Sequence, residues 1–254
     1  MLGAIIGDIV GSRFEFNNTD KYDFGELFTD ECSFTDDTIC TIAIADALLN
    51  GGKDYKGCLL KWCRKYPNPM GSYGGSFARW IMSADPQPYN SFGNGAAMRV
   101  SPVAWAVSTS GEVASEAIAT ANVTHNHPEG IKGAMATALA VYHLRTTKNK
   151  GVVDVVEGMF YDLHAKYKRG VFDETCQGTV PVALRIIADS KGFDDALRLT
   201  MAWGGDSDTL GAIVGAMAEA LYGIPVDIQR KAKMYLPADM KQVVDKFHRK
   251  YNVQ

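Results

Sequence analysis

Apolar positions along the chain recur with the period of a helix far more often than with that of a strand. In the first segment Leu2, Ile5, Ile6, Ile9 and Val10 fall at i, i+3, i+4, i+7 and i+8, the stripe of an amphipathic helix. Gly3, Gly7 and Gly11 line an adjacent face, where glycines spaced by four let another backbone approach closely. This makes the first helix a central one. The same periodicity predicts helices over 37–49, 55–65, 74–83, 112–122, 129–145, 151–167, 177–190, 193–202, 208–222 and 239–251. Alternating strand patterns closed by tight-turn pairs are scarce, and no G-x-G-x-x-G follows a strand. The residues alone therefore predict a mainly α protein. Loops rich in Gly, Pro, Asn and Ser at 67–76 and 85–96 are too short to link domains and sit where function often resides. One domain spanning 1–254 is expected.

Composition narrows the function classes. With 46% apolar and 22% charged residues the chain is ordinary for a globular protein. Its 26 basic and 29 acidic side chains leave a formal charge of −3, so no general attraction to nucleic acid or an anionic membrane is expected. The cysteines Cys32, Cys40, Cys58, Cys63 and Cys176 form no C-x-x-C pair and follow no secretory leader, which reads as reduced thiols in a cytoplasmic protein. No stretch approaches the roughly 20 apolar residues of a membrane span.

The candidate chemistry is acidic. The segment FTDDTICTIAIADALL sets Thr35, Asp36, Asp37 and Thr38 just before an apolar helix, and GGDSDTLGAIVGAMAEAL repeats the arrangement with Asp206, Asp208 and Thr209. Helix capping explains one such residue per cluster, since Ser, Thr and Asp satisfy free backbone N–H groups. Two crowded carboxylates in each cluster incur a repulsion that a cation would remove. Hard oxygen ligands of this kind suit Mg²⁺, Mn²⁺ or Ca²⁺ better than zinc. Sequence alone leaves capping and metal binding open, and does not say whether the clusters meet.

In order along the chain, GAIIGDIVGSRFE, FTDDT, SFGNGAAMR, THNHPEGIKGA and GGDSDTLGAIVGA resemble the ADP-ribosylglycohydrolase family, over positions 3–225. The resemblance implies an all-α, compact, orthogonal helical bundle with a binuclear metal site in a central cleft. It implies a hydrolase that cleaves the glycosidic bond between ADP-ribose and its acceptor and so reverses mono-ADP-ribosylation. The metals are two divalent ions, Mg²⁺ or Mn²⁺: Thr35, Asp36, Asp37 and Asp208 hold one, and Asp206, Asp208 and Thr209 the other. Glu15 is implied as a catalytic glutamate, acting beside Asp36 and Asp37. Ser91, Phe92, Gly93, Asn94 and Gly95 form the implied substrate loop, with backbone N–H groups toward a diphosphate and Phe92 against a sugar or base. His125 is implied as a hydrogen-bond donor to phosphate or ribose. By itself H-x-H at His125 and His127 suggests a transition-metal site or a polar loop. Arg99 pairs with a phosphate or sits in a structural ion pair.

The implied partner is an ADP-ribosylated protein, arginine favoured as acceptor, or a small ADP-ribose conjugate, with nucleic acid only as a modified substrate, no membrane, and a monomeric state. Competing readings are a catalytically silent ADP-ribose-binding module and a binuclear phosphohydrolase that cuts the diphosphate.

Overall fold

The structure is a computed structural model, and it describes residues 1–51, 53–162 and 164–253. Its helices are α1 (Leu2–Gly11), α2 (Asp36–Leu49), α3 (Tyr55–Lys65), α4 (Gly75–Met82), α5 (Gly95–Met98), α6 (Val103–Ala106) and α7 (Ser110–Asn122). They continue with α8 (Pro128–Thr147), α9 (Val152–Phe160), α10 (Cys176–Asp189), α11 (Phe193–Trp203), α12 (Ser207–Tyr222), α13 (Val226–Met234) and α14 (Ala238–Tyr251). Among the described residues the only β-type pairings are isolated bridges, Thr35 with Met70 and Gly93 with Thr175. The fold is all-α. No helix among the described residues is long and apolar enough to cross a membrane.

The centre of the fold is the packing of α1 on α12. Every residue of α1 is buried, and so is every residue of α12 from Ser207 to Leu221. A Cβ placed on Gly3 would overlap the carbonyl of Gly215, one on Gly7 the carbonyl of Gly211, and one on Gly11 the backbone of Ser207 and Asp208. Gly211 and Gly215 meet α1 in the same way from the other side. Two backbones thus touch along a stripe with no side chains between them, as the four-residue spacing predicts. The Glu219 carboxylate accepts from the Gly3 N–H at 2.9 Å, which places negative charge at the N-terminus of α1. Around this pair, α2, α8, α10 and α11 bury their apolar stripes into one continuous core.

Two departures from the periodic reading have local causes. Helix α9 stops at Phe160 instead of running to residue 167, and residue 163 of that range lies outside the described residues. The Asp162 carboxylate accepts from the His164 N–H at 2.9 Å, an Asx turn, while Arg185 donates to the carbonyls of Asp162 and Ala165. Those carbonyls serve a tertiary contact in place of a helix ladder. Helix α13 escapes the pattern because only Ile228 and Ala232 are buried, with Val226 and Met234 left exposed. Two apolar positions make too thin a stripe to read.

The helix contact gives a direct test. Gly7→Ala forces a methyl into the Gly211 carbonyl and is expected to cost about 1–3 kcal/mol or more in denaturant unfolding. Gly111→Ala, where an added Cβ meets nothing within 4 Å, is expected to be neutral or mildly stabilising. Equal midpoints for the two variants would contradict the close approach.

Candidate active site

The two acidic clusters meet. Helices α2 and α12 point their N-termini at one cavity of about 360 Å³, lined by Glu15, Asp36, Asp37, Asp206, Asp208 and Thr209 among others. Thr209 Oγ1 donates to Asp37 Oδ2 at 3.2 Å, across 172 residues of chain. The ambiguity between capping and ligation resolves differently on each side. Thr35 does cap α2, its hydroxyl accepting from the Asp37 N–H at 3.2 Å. Asp206 sits at the cap position of α12 but makes no side-chain cap bond. Its Oδ2 instead accepts from Asn94 Nδ2 at 2.7 Å. Asp36, Asp37 and Asp208 do not cap either helix, so capping does not account for their carboxylates.

Asp8 organises the first cluster. It is fully buried on α1, and its carboxylate accepts from the Thr35 N–H at 3.0 Å, the Thr35 hydroxyl at 2.7 Å, the Thr38 N–H at 3.1 Å and the Thr38 hydroxyl. Because the Thr35 hydroxyl spends its proton on Asp8, its oxygen is left as an acceptor only. The catalytic-glutamate candidate is held from the other side. Asn18 accepts from the Gly205 N–H at 2.6 Å and donates to the Gly205 carbonyl at 2.9 Å and the Phe14 carbonyl at 2.6 Å, pinning the segment that carries Glu15 onto the Gly204–Gly205 turn. Gly71 lies so close to the Glu15 carboxylate that a Cβ there would strike it, so the 67–76 loop rims the same cleft.

Burial and mutual repulsion dominate the electrostatics. No carboxylate of Asp8, Glu15, Asp36, Asp37, Asp206 or Asp208 has an ion pair with Lys, Arg or His among the described residues. Burial pushes Asp8 up to about 6 and Glu15 up to about 7, the latter aided by the charges of Asp206, Asp8 and Glu174. Burial, followed by neighbouring carboxylates, raises Asp36, Asp37 and Asp208 well above the usual range. Glu15 Oε2, Asp37 Oδ1 and Asp208 Oδ1 are buried without a hydrogen-bond partner among the described residues. Orphaned, crowded carboxylate oxygens fit a hard divalent cation in chemistry and in charge. Oxygens of Asp8, Asp37 and Asp208 all lie within 4.8 Å of one another. Since both Asp8 oxygens are already committed to Thr35 and Thr38, Asp8 is better placed to fix the set than to ligate.

The glycine loop borders the same cavity. Segment 174–176 holds it in place: the Asn94 N–H donates to the Glu174 carbonyl at 2.7 Å, and the Cys176 N–H to the Phe92 carbonyl at 3.0 Å. Ser91 Oγ accepts from the Gly93 N–H at 3.1 Å. The expectation that the loop's N–H groups point at a diphosphate is thereby narrowed, because Gly93 and Asn94 spend theirs within the protein. Asn94 is buried beneath the loop, where its amide ties Asp206 to Thr179. Phe92 is 45% exposed and meets His127 edge-to-face, with centroids 5.3 Å apart.

His125 and His127 do different work. His127 caps α8 through Nδ1, which accepts from the Glu129 N–H at 3.1 Å, and neither histidine belongs to a metal-ligand group among the described residues. His125 is buried, with Nε2 beside Gly93 and Gly95. Arg99 Nη2 donates to Thr124 Oγ1 at 2.8 Å, and that oxygen lies 2.7 Å from His125 Nδ1. With Arg99 donating to Thr124 Oγ1, Nδ1 is the acceptor within reach of the Thr124 hydroxyl proton, an arrangement that favours the tautomer with its proton on Nε2. Burial, with the nearby Arg99 charge, holds His125 neutral by lowering its pKa well below the ordinary value. Arg99 is buried against the Thr120 carbonyl and the Thr124 hydroxyl and forms no ion pair among the described residues, which rules out the structural ion pair.

Asp8 and Thr124 lie within the motifs GAIIGDIVGSRFE and THNHPEGIKGA without a role assigned to them there, and Asn18 lies just past the first. Asp8 alone has a visible signal, a charge inside an otherwise apolar stripe, whereas the other two act through contacts that only folding creates. The proton assignment on His125 is testable by ¹⁵N NMR of the imidazole. Wild-type protein is expected to show the Nε2–H form, and Thr124→Val, which keeps the buried volume, a shift toward Nδ1–H. An unchanged tautomer in the variant contradicts the relay.

Comparison with known proteins agrees with this geometry. The chain is 26% identical to the ADP-ribosyl-[dinitrogen reductase] glycohydrolase of Rhodospirillum rubrum, covering 96% of this chain and 92% of the relative. It is 26% identical to the ADP-ribosylarginine hydrolase Tri1 of Pseudomonas putida (strain GB-1), over 88% and 70% of the two chains. Against the ADP-ribosylhydrolase ARH3 of Mus musculus it is 24% identical over 88% and 83%. A solved structure titled ADP-ribosylglycohydrolase-related protein complex superposes with a TM-score of 0.73, covering 98% of this chain and 96% of that one at 24% identity, a likeness of fold. The family model described as ADP-ribosylglycohydrolase matches residues 1–254, and the chain belongs to that family.

Proposed function

We propose that the protein hydrolyses the glycosidic bond between ADP-ribose and an acceptor side chain on a protein, arginine first among the acceptors. The observation that carries the reading is the convergence of Asp36 and Asp37, on the helix that Thr35 caps, with Asp206, Asp208 and Thr209 on one cavity floor beside Glu15. Likeness to the Pseudomonas putida arginine hydrolase supports the choice of acceptor. The free, buried cysteines support a reducing, cytoplasmic setting.

Thr35, Asp36, Asp37 and Asp208 would hold one Mg²⁺ or Mn²⁺ ion and Asp206, Asp208 and Thr209 a second, and when bound these would supply Lewis acidity and orientation for the vicinal hydroxyls of the distal ribose. Asp8 holds Thr35, and Asn94 holds Asp206, so the ligand set is in place before substrate arrives. The Ser91–Gly95 loop and the His125 Nε2–H receive the diphosphate and proximal ribose, with Phe92 against the sugar or base. Glu15, with its pKa near 7, takes a proton from water as the new O–C1″ bond forms. The C1″–acceptor bond breaks with its electron pair on the acceptor nitrogen or oxygen, which then takes up the proton. The products are ADP-ribose and the unmodified side chain.

Glu15→Gln is expected to keep the Kd for ADP-ribose within about twofold while lowering kcat by at least about a hundredfold, read from released ADP-ribose. An unchanged kcat excludes the proton-transfer role. Release of AMP and ribose phosphate in place of ADP-ribose would overturn the glycosidic assignment.

A further inference from the structure

The cleft has an aromatic wall for which the reaction above has no use. Phe16 and Phe172 stack with centroids 5.8 Å apart and planes 24° from parallel, yet they are 74% and 43% exposed. Both line the cavity, together with Glu174. Phe16 directly follows Glu15 on the segment that Asn18 pins to Gly205. The chain carrying Phe172 runs back from the glycine loop, where Glu174 is bonded to Asn94, toward the same turn, where the Gly170 N–H meets the Trp203 carbonyl at 2.9 Å. The stacked pair therefore stands at the acidic, Glu15 end of the cleft and not at the Phe92 end. A substrate whose distal ribose lies over the acidic floor sends its acceptor out past this wall.

The chemistry of the wall is selective. Phe14 and Phe24 nearby each carry an arginine over the ring face, Arg13 on both and Arg198 on Phe24, and Trp203 carries Arg169. No cation of the chain lies over Phe16 or Phe172 among the described residues. Glu174 is exposed, has no ion pair among the described residues, and lies close enough to Glu15 to act on it as a like charge. Among the described residues the only Lys or Arg lining the cavity is Arg99, which is buried. Two open π faces beside an unpaired carboxylate favour a planar cation, and a guanidinium satisfies both groups at once.

We propose that Phe16, Phe172 and Glu174 form the acceptor subsite, and that it selects the guanidinium of an ADP-ribosylated arginine over neutral acceptors. This rests on the glycosidic reading of the acidic floor. The test compares kcat/KM of the metal-loaded protein on an ADP-ribosyl-arginine peptide and an ADP-ribosyl-serine peptide. Wild type is set against Glu174→Gln and the Phe16→Ala/Phe172→Ala double variant, with the Kd for free ADP-ribose measured in parallel. All three side chains are exposed, so the fold tolerates the changes. The expected result is a wild-type preference for arginine that falls about tenfold in each variant, on the scale of one cation–π or ion-pair contact, with the Kd for ADP-ribose held within about twofold. Equal losses on both peptides, no wild-type preference, or weakened ADP-ribose binding in the double variant each overturn the subsite, the last by making the pair a platform for adenine. Failure to release ADP-ribose from either peptide defeats the glycosidic reading itself, and the subsite with it.

Discussion

Backbone contact between α1 and α12 is the constraint on which the rest depends. Gly3, Gly7 and Gly11 lie against Gly211, Gly215 and the Ser207–Asp208 backbone, so the first and last motifs of the chain are held at the shortest distance two helices allow. Asp8 rides on α1 and Asp208 on α12, and the seam brings carboxylate oxygens of the two within 4.8 Å of each other, with Asp208 lining the cavity. A side chain at any of these glycines would push the helices apart and separate the carboxylates they carry. Close approach of backbones here is what holds the two acidic segments together.

The seam also explains how so much negative charge is kept in one place. Buried like charges destabilise a fold unless they are neutralised by protons or by a cation. At this site the surrounding donors, Thr35, Thr38, Thr209 and Asn94, fix individual carboxylate oxygens while leaving Asp37 Oδ1, Asp208 Oδ1 and Glu15 Oε2 without partners among the described residues. Fixed geometry with unfilled acceptors is what a cation site needs, since little ordering is left to be done on binding. The raised proton affinity of the same groups is the alternative way of meeting that electrostatic demand.

Much of this was legible in the chain. The glycine spacing in the first helix announces the close contact, and the paired T-D-D-T and D-S-D-T segments announce a shared chemistry. Helical periodicity finds the long helices because each buries a broad stripe, and it fails at α13, where two residues are buried, and beyond Phe160, where Arg185 takes the carbonyls a helix would have used. What the chain could not say is which oxygen faces which donor. The commitment of both Asp8 oxygens, the turn of Asp206 away from its cap position toward Asn94, and the Arg99–Thr124–His125 relay all depend on contacts between residues far apart in sequence. The five ordered motifs stood in for that information by resemblance, and the fold supplies the physical reason for their order.

We propose that a pair of divalent ions shares Asp208. Titration of chelator-stripped protein with Mn²⁺, followed by calorimetry and by loss of the free-ion paramagnetic resonance signal, measures it most directly. Two equivalents are predicted for wild type, with both weakened by at least about tenfold in Asp208→Asn, because one carboxylate serves both ions. A single equivalent, or binding that survives Asp208→Asn unchanged, would contradict the shared-ligand centre.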